Sequence, residues 1–282
     1  MPYNDEKKKS GSFSRRPPAR HMDPYRREER GRGDDERDEG VIEGRNAVLE
    51  ALKAGRPIDK LYIAKGETDS TLAHIASKAR DAGAVVVEAD RRKLDAMSLT
   101  GSHQGVLAYA SVKAYVSVQD ILAIAEARGE PPFVIVCDEI SDPHNLGAII
   151  RTAEAAGAHG VVIPKRRSAG MTAVIEKTSA GAVEHMAVAR VPNVTAALTE
   201  LKKAGLWVYG TAAGAEKTLW ETDLTGPAAV VIGSEGDGMS RLVRENCDFL
   251  IGIPMKGEVS SLNASTSAAI VIYETVRQRR GV

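Results

Sequence analysis

Three blocks of polar residues and glycine in the C-terminal half each follow an apolar run. They are Asp142-Pro143-His144-Asn145-Leu146-Gly147 leading to Arg151, then Gly233-Ser234-Glu235-Gly236-Asp237-Gly238-Met239, then Ile253-Pro254-Met255 with Ser260-Ser261-Leu262-Asn263 behind it. Asn145, Ser261 and Asn263 can each donate and accept hydrogen bonds, Arg151 is a fixed positive charge, and Glu235 is a carboxylate set among glycines. Loops at the carboxyl ends of strands hold ligands in α/β proteins, and small residues with a few hydrogen-bonding side chains are the plan of a small-molecule site.

The glycine block does not fit the familiar phosphate loops. Gly233, Gly236 and Gly238 break the G-x-G-x-x-G order of a dinucleotide site. Gly233 and Gly238 have the separation of a nucleotide-triphosphate loop, but Met239 stands where the lysine must reach the phosphates. The plain alternatives are a tight turn for the glycines, a surface ion pair with Glu154 for Arg151, and capping of the last helix for Ser261 and Asn263. His144 reads as a loop or packing residue. The six histidines make no metal spacing with Cys137 and Cys247, so no metal is expected.

The elements that must position these blocks alternate. Apolar runs predict strands at Phe133 to Asp138, Gly160 to Ile163, Met186 to Val191, Leu206 to Tyr209, Ala229 to Ile232 and Leu250 to Ile253. Helices are expected at Leu146 to Ala156, Thr172 to Ala182, Val194 to Ala204, Arg241 to Asn246 and Asn263 to Arg279. This is an α/β domain over residues 131–282 with a mainly parallel sheet. A smaller α/β domain spans 41–112, with a helix from Glu43 to Leu52, a strand at Leu61 to Ala64, a helix from Leu72 to Asp81, a strand at Ala84 to Val87, and a turn at Ser102-His103-Gln104-Gly105 feeding another strand. Residues 113–130 read as a linker with one helix.

With 38 basic and 38 acidic residues the chain carries no net charge, so any argument for nucleic acid must rest on local patches. Residues 1–40 mix charges, glycine and Pro17-Pro18 with almost no aliphatic side chains, which predicts a disordered tail. Its cluster from Arg15 to Arg32 is the one feature that suggests an RNA-touching arm. No secretory signal or membrane-length apolar run is present, and two distant cysteines fit a reduced cytoplasmic protein.

Taken together, the three blocks resemble the signature motifs of the SpoU branch of the SPOUT RNA 2′-O-methyltransferases, over roughly Pro132 to the C-terminus. The resemblance implies a parallel sheet with a deep trefoil knot, and S-adenosylmethionine held in bent form by Thr211, Gly233, Glu235, Gly236, Ile253, Met255, Ser261 and Leu262. It implies catalytic roles for Asn145, Arg151, Glu235, Ser261 and Asn263. Residues 41–110 resemble the ribosomal-protein-like substrate-binding domain of longer family members, most closely at Gly44-Arg45 and His103-Gln104-Gly105. The implied partners are RNA, with a guanosine in the P loop of 23S rRNA as target, and a second copy of the chain in a homodimer. A tRNA target, or a ribosome-assembly factor that binds RNA without chemistry, are the alternatives.

Overall fold

The computed structural model describes residues 40–66 and 69–280, so the charged tail, apart from Gly40, lies outside the described residues. The strands form two sheets. In the first, β1 (Val41–Glu43), β2 (Ile58–Ala64), β3 (Val85–Ala89) and β4 (Val106–Ala110) lie in the order β1-β4-β2-β3, with only β2 and β3 parallel. Helices α1 (Arg45–Lys53) and α2 (Ser70–Asp81) cover this sheet. Ala47, Val48 and Ala51, and Leu72, Ile75 and Ala79, recur at helical spacing and pack with Leu61, Val106 and Ala108. A short helix, α3 (Arg91–Met97), seats Leu94 beneath the sheet's other face.

The second sheet is wholly parallel. Its strands are β5 (Phe133–Cys137), β6 (Gly160–Pro164), β7 (Val188–Val191), β8 (Trp207–Thr211), β9 (Lys217–Thr218), β10 (Ala228–Ile232) and β11 (Phe249–Gly252), in the order β7-β6-β5-β10-β8-β11-β9. Every residue of β5, β6 and β10 is buried, as a parallel sheet covered on both faces requires. Alternate residues serve opposite layers. Phe133, Ile135 and Cys137 pack with α5 (Pro143–Ala155), α6 (Ala173–Thr178) and α9 (Ala264–Arg279). Val134 and Val136 pack with α4 (Val118–Arg128), α7 (Val194–Lys203) and α8 (Arg241–Glu245). The segment 113–130 is itself part of this packing, since Val116 bridges to Ala189 and Val118, Ile121 and Ala125 are buried.

Several elements differ from the sequence reading, each for a local reason. Helix α5 starts at Pro143 rather than Leu146, because the Asp142 side chain accepts from the His144 N–H at 2.9 Å and Pro143 occupies the first helical position. The helix expected over 172–182 stops at Thr178, where Ala180 (φ 52°) and Gly181 (φ 86°) turn the chain into a 3-10 turn, Ala182–Glu184. The short elements β1, α3 and β9 carry too few residues to show a period.

The region of α6 and the 3-10 turn packs against the small sheet. Ala173 joins Val41, Ala64, Leu94 and Leu107 in one apolar cluster. Beside it Arg56 Nη1 donates to Glu176 Oε1 at 2.7 Å and Glu184 Oε1 at 2.6 Å, with all three side chains at most 6% exposed. Arg56 Nε reaches the Ser111 carbonyl at 2.7 Å, and Lys113 Nζ reaches the Glu184 carbonyl at 2.8 Å. One guanidinium therefore faces two buried carboxylates. Burial, opposed by the attraction of Arg56, pushes Glu176 from 4.5 up to about 7.

A carboxyl whose folded pKa is raised contributes stability that is complete below its ordinary range and is lost as pH rises through the folded value. Glu176→Gln, which keeps the shape but cannot ionise, should therefore gain on the wild type as pH rises from 5 to 8. The gain should approach on the order of 1 kcal/mol per pH unit at its steepest. Urea unfolding of both proteins across that range reads the difference, and a constant gap contradicts the assignment.

Candidate active site

The loops after β8, β10 and β11 and the start of α5 all lie at the carboxyl end of the parallel sheet. One carboxylate oxygen gathers them. Glu235 Oε1 accepts from Asn145 Nδ2 at 3.0 Å, from Asn263 Nδ2, and from the Ala264 N–H at 3.3 Å. Asn263 Nδ2 also donates to Asn145 Oδ1 at 2.9 Å. The amide orientation of Asn263 follows from its other end: Oδ1 caps α9, accepting from the N–H groups of Ser265 at 2.9 Å and Thr266 at 3.2 Å. Capping and site assembly thus use opposite ends of one side chain.

The glycine block forms a closed turn. Ser234 and Gly238 exchange backbone hydrogen bonds at 3.0 and 3.1 Å, with Gly236 (φ 90°) and Gly238 (φ 68°) in the left-handed region. A Cβ on Gly233 would lie 2.3 Å from the Gly238 carbonyl carbon and the Met239 nitrogen, so the loop closes on bare backbone. Asp138, at the end of β5, accepts from the Ser240 N–H at 2.7 Å and ties this turn to the first block.

A cavity of about 580 Å³ opens beside this junction. All eight positions that resemblance assigns to the cofactor line it: Thr211, Gly233, Glu235, Gly236, Ile253, Met255, Ser261 and Leu262. Its size suits one cofactor-sized molecule. Its charges are informative, because the lining holds Glu235 and Glu258 and no lysine or arginine. That disfavours a polyphosphate and suits a molecule with a cationic sulfonium and ammonium, with Ile253, Met255 and Leu262 as apolar walls. Thr211 Oγ1 donates to the Val231 carbonyl at 2.9 Å, which joins β8 to β10 at the cavity floor.

Among the residues expected to be catalytic, Asn145, Glu235 and Asn263 meet, and Ser261 lines the cavity with its side chain exposed. Arg151 stands apart. It lies six residues beyond Asn145 on the unbroken helix α5, about 240° around the axis, exposed, with no hydrogen bond or ion pair among the described residues, Glu154 included. His144 is exposed in the first turn of α5 rather than in a loop. Burial pushes the Cys137 and Cys247 thiols up to about 12, so neither supplies a thiolate near neutral pH. Sequence reasoning missed Asp138 and the small-residue run Ala212-Ala213-Gly214-Ala215 in the cavity wall. The signals were a charge ending an apolar strand and a second cluster of small residues at a strand end.

The family model described as SpoU rRNA methylase matches residues 132–273, and the model described as RNA 2′-O ribose methyltransferase substrate binding matches residues 41–116. A Bacillus subtilis (strain 168) protein named for the TrmH family of tRNA/rRNA methyltransferases, YacO, is 47% identical over 239 residues, covering 85% of this chain and 96% of that one. A tRNA/rRNA methyltransferase of Mycolicibacterium vanbaalenii, itself uncharacterized, is 46% identical over 255 residues, covering 90% and 81%. The crystal structure of the SpoU methyltransferase AviRb from Streptomyces viridochromogenes with AdoMet superposes with a TM-score of 0.74 at 25% identity, over 89% of this chain and 95% of that one. With motifs, fold and relatives in agreement, the chain belongs to the SpoU rRNA methylase family, and is an S-adenosylmethionine-dependent RNA 2′-O-methyltransferase.

Proposed function

We propose that the chain methylates the ribose 2′-hydroxyl of a guanosine in the P loop of 23S rRNA. The observation that carries the chemistry is the Asn145–Glu235–Asn263 junction at the rim of a cavity lined by carboxylates and no cation. The small α/β domain that precedes the parallel sheet supports a large folded RNA over tRNA as substrate, since it adds a second surface for recognition.

When bound, S-adenosylmethionine supplies an activated methyl group on sulfur. The protein's part is to hold a ribose oxygen in line with that methyl and to manage its proton. Glu235 Oε1 is occupied by three donors, which leaves Oε2 to accept a hydrogen bond from the ribose hydroxyl. A carboxylate is a far weaker base than a sugar alkoxide, so the proton moves only as the new O–C bond forms. Asn145 keeps one N–H for the ribose, and Ser261 offers a further hydroxyl at the cavity wall.

Arg151 points away from this junction within one chain, and a guanidinium stays protonated. Its role here is electrostatic, toward an RNA phosphate or the developing alkoxide, and in a homodimer it would reach a site completed by a second copy. The exposed line of His144, Arg151 and Ala155 on α5, with Tyr273 on α9, offers the contact face. Ala264 and Ala268 of α9 are buried inside the chain and lie outside that face. Light scattering should give twice the chain mass at micromolar concentration, and an active monomer would refute the dimer.

Mass-spectrometric mapping of ribose methylation in total RNA from cells with and without the protein should show loss at one guanosine of 23S rRNA. A lost site in tRNA would select the other substrate. Arg151→Ala should lower methyl transfer by about a hundredfold with cofactor affinity unchanged. Activity within a few-fold of wild type would leave Arg151 a plain surface residue.

A further inference from the structure

The sheet order places opposite charges on the two sides of the site. Reading across the carboxyl ends from β6 through β5, β10 and β8 to β11, Asn145 follows β5 and Glu235 follows β10. The cavity lies on the β8 and β11 side, and the charged side chains in its lining, Glu235 and Glu258, are both acids. The loop that follows β6, on the other side, is Lys165-Arg166-Arg167-Ser168, and its three cations are exposed. In a chain with no net charge, three consecutive cations are a local excess.

This loop is held at both ends. At its start the Lys165 N–H donates to the Val191 carbonyl at 2.8 Å, and Arg190 Nη2 donates to the Lys165 carbonyl at 3.4 Å. At its end the Ala169 N–H donates to the Ile140 carbonyl at 3.1 Å and the Met171 N–H to Tyr115 Oη at 2.9 Å. The Arg190 guanidinium lies 5.3 Å over the Tyr115 ring, bracing the two anchors against each other. The anchor at Ile140 belongs to the loop that leads into Asn145.

Two non-glycine residues here adopt left-handed backbone: Glu139 and Arg167, both at φ 58°. Their side chains pair across the two loops at 2.7 Å, yet Arg167 remains 77% exposed. An exposed pair of this kind contributes little and exchanges readily for another anion. Lys165 and Arg166 have no side-chain partner among the described residues. The result is a preorganised cationic loop one strand away from the ribose-positioning residues, with the charges of Lys165 and Arg166 uncommitted and that of Arg167 held only in an exposed pair.

We propose that Lys165, Arg166 and Arg167 hold the backbone phosphates of the RNA strand flanking the target nucleotide, with Glu139 as the resting partner that a phosphate displaces. This rests on the function proposed above and specifies how the RNA approaches: from the β6 side, while the cofactor occupies the β8 and β11 side. Surface cations on a fixed loop position a strand without reading its bases.

The test uses the full chain and transcribed 23S rRNA, with affinity measured between 50 and 200 mM salt. A Lys165→Gln, Arg166→Gln double variant should weaken binding about tenfold at the lower salt. It should reduce the slope of log affinity against log salt by about 1.4, the single-strand value for two phosphates. Its S-adenosylmethionine affinity and thermal midpoint should match wild type, since both side chains are exposed. Glu139→Gln should tighten RNA binding by freeing Arg167. An unchanged slope and affinity in the double variant, or weaker RNA binding in Glu139→Gln, overturns the proposal. If those results accompany normal methyl transfer by wild type, only the phosphate loop falls. A wild type that neither binds nor methylates rRNA refutes the underlying function as well.

Discussion

A single carboxylate oxygen organises this molecule's functional end. Glu235 Oε1 receives donors from the first turn of α5, from the residue that caps α9 and from the first backbone N–H of α9. Charge-assisted hydrogen bonds are the stronger kind, and here they converge from segments far apart in sequence. The consequence is mutual dependence. The glycine turn can present Glu235 because Gly233 lets backbone approach backbone, and the α9 cap can present the Asn263 amide because its Oδ1 is already committed to the helix.

The parallel sheet explains why these segments meet. Its strands run in one direction, so every strand-to-helix loop leaves at the same end, and the strand order sets which loops are neighbours. The cavity collects the loops after β8, β10 and β11, while the β5 and β6 loops lie beside it. Close helix packing fixes α5 laterally. A Cβ on Gly147 would come within 1.9 Å of Thr178 Oγ1, so α5 approaches α6 at a distance only glycine permits. At the other side of α6, the buried Arg56, Glu176 and Glu184 group and the shared apolar cluster around Ala173 join the small sheet to the same frame.

Much of this was readable from residues alone. The buried strands β5, β6 and β10 announce themselves as unbroken apolar runs, and the polar blocks at their ends mark the site. In the small domain the sequence marked two motifs but not their contact, which only the structure shows. Gly44-Arg45 and His103-Gln104-Gly105 meet directly, with the Arg45 N–H donating to Gln104 Oε1 at 3.1 Å. What sequence could not show were relations that depend on three-dimensional phase. Spacing alone left open whether Arg151 shares a face with Asn145; the early start of α5 at Pro143, set by the Asp142 cap, decides that it does not. The Arg56 group joins residues more than 100 positions apart and has no local pattern to reveal it.

If one carboxylate assembles the site, its removal should disable cofactor binding and chemistry together while the fold survives. Calorimetric titration of S-adenosylmethionine into Glu235→Ala, paired with a methyl-transfer assay, tests this directly. The account predicts an affinity at least about tenfold weaker, the scale of lost hydrogen bonds to a charged group, with methyl transfer falling further and the unfolding transition retained. Affinity and turnover within twofold of the wild type would contradict it.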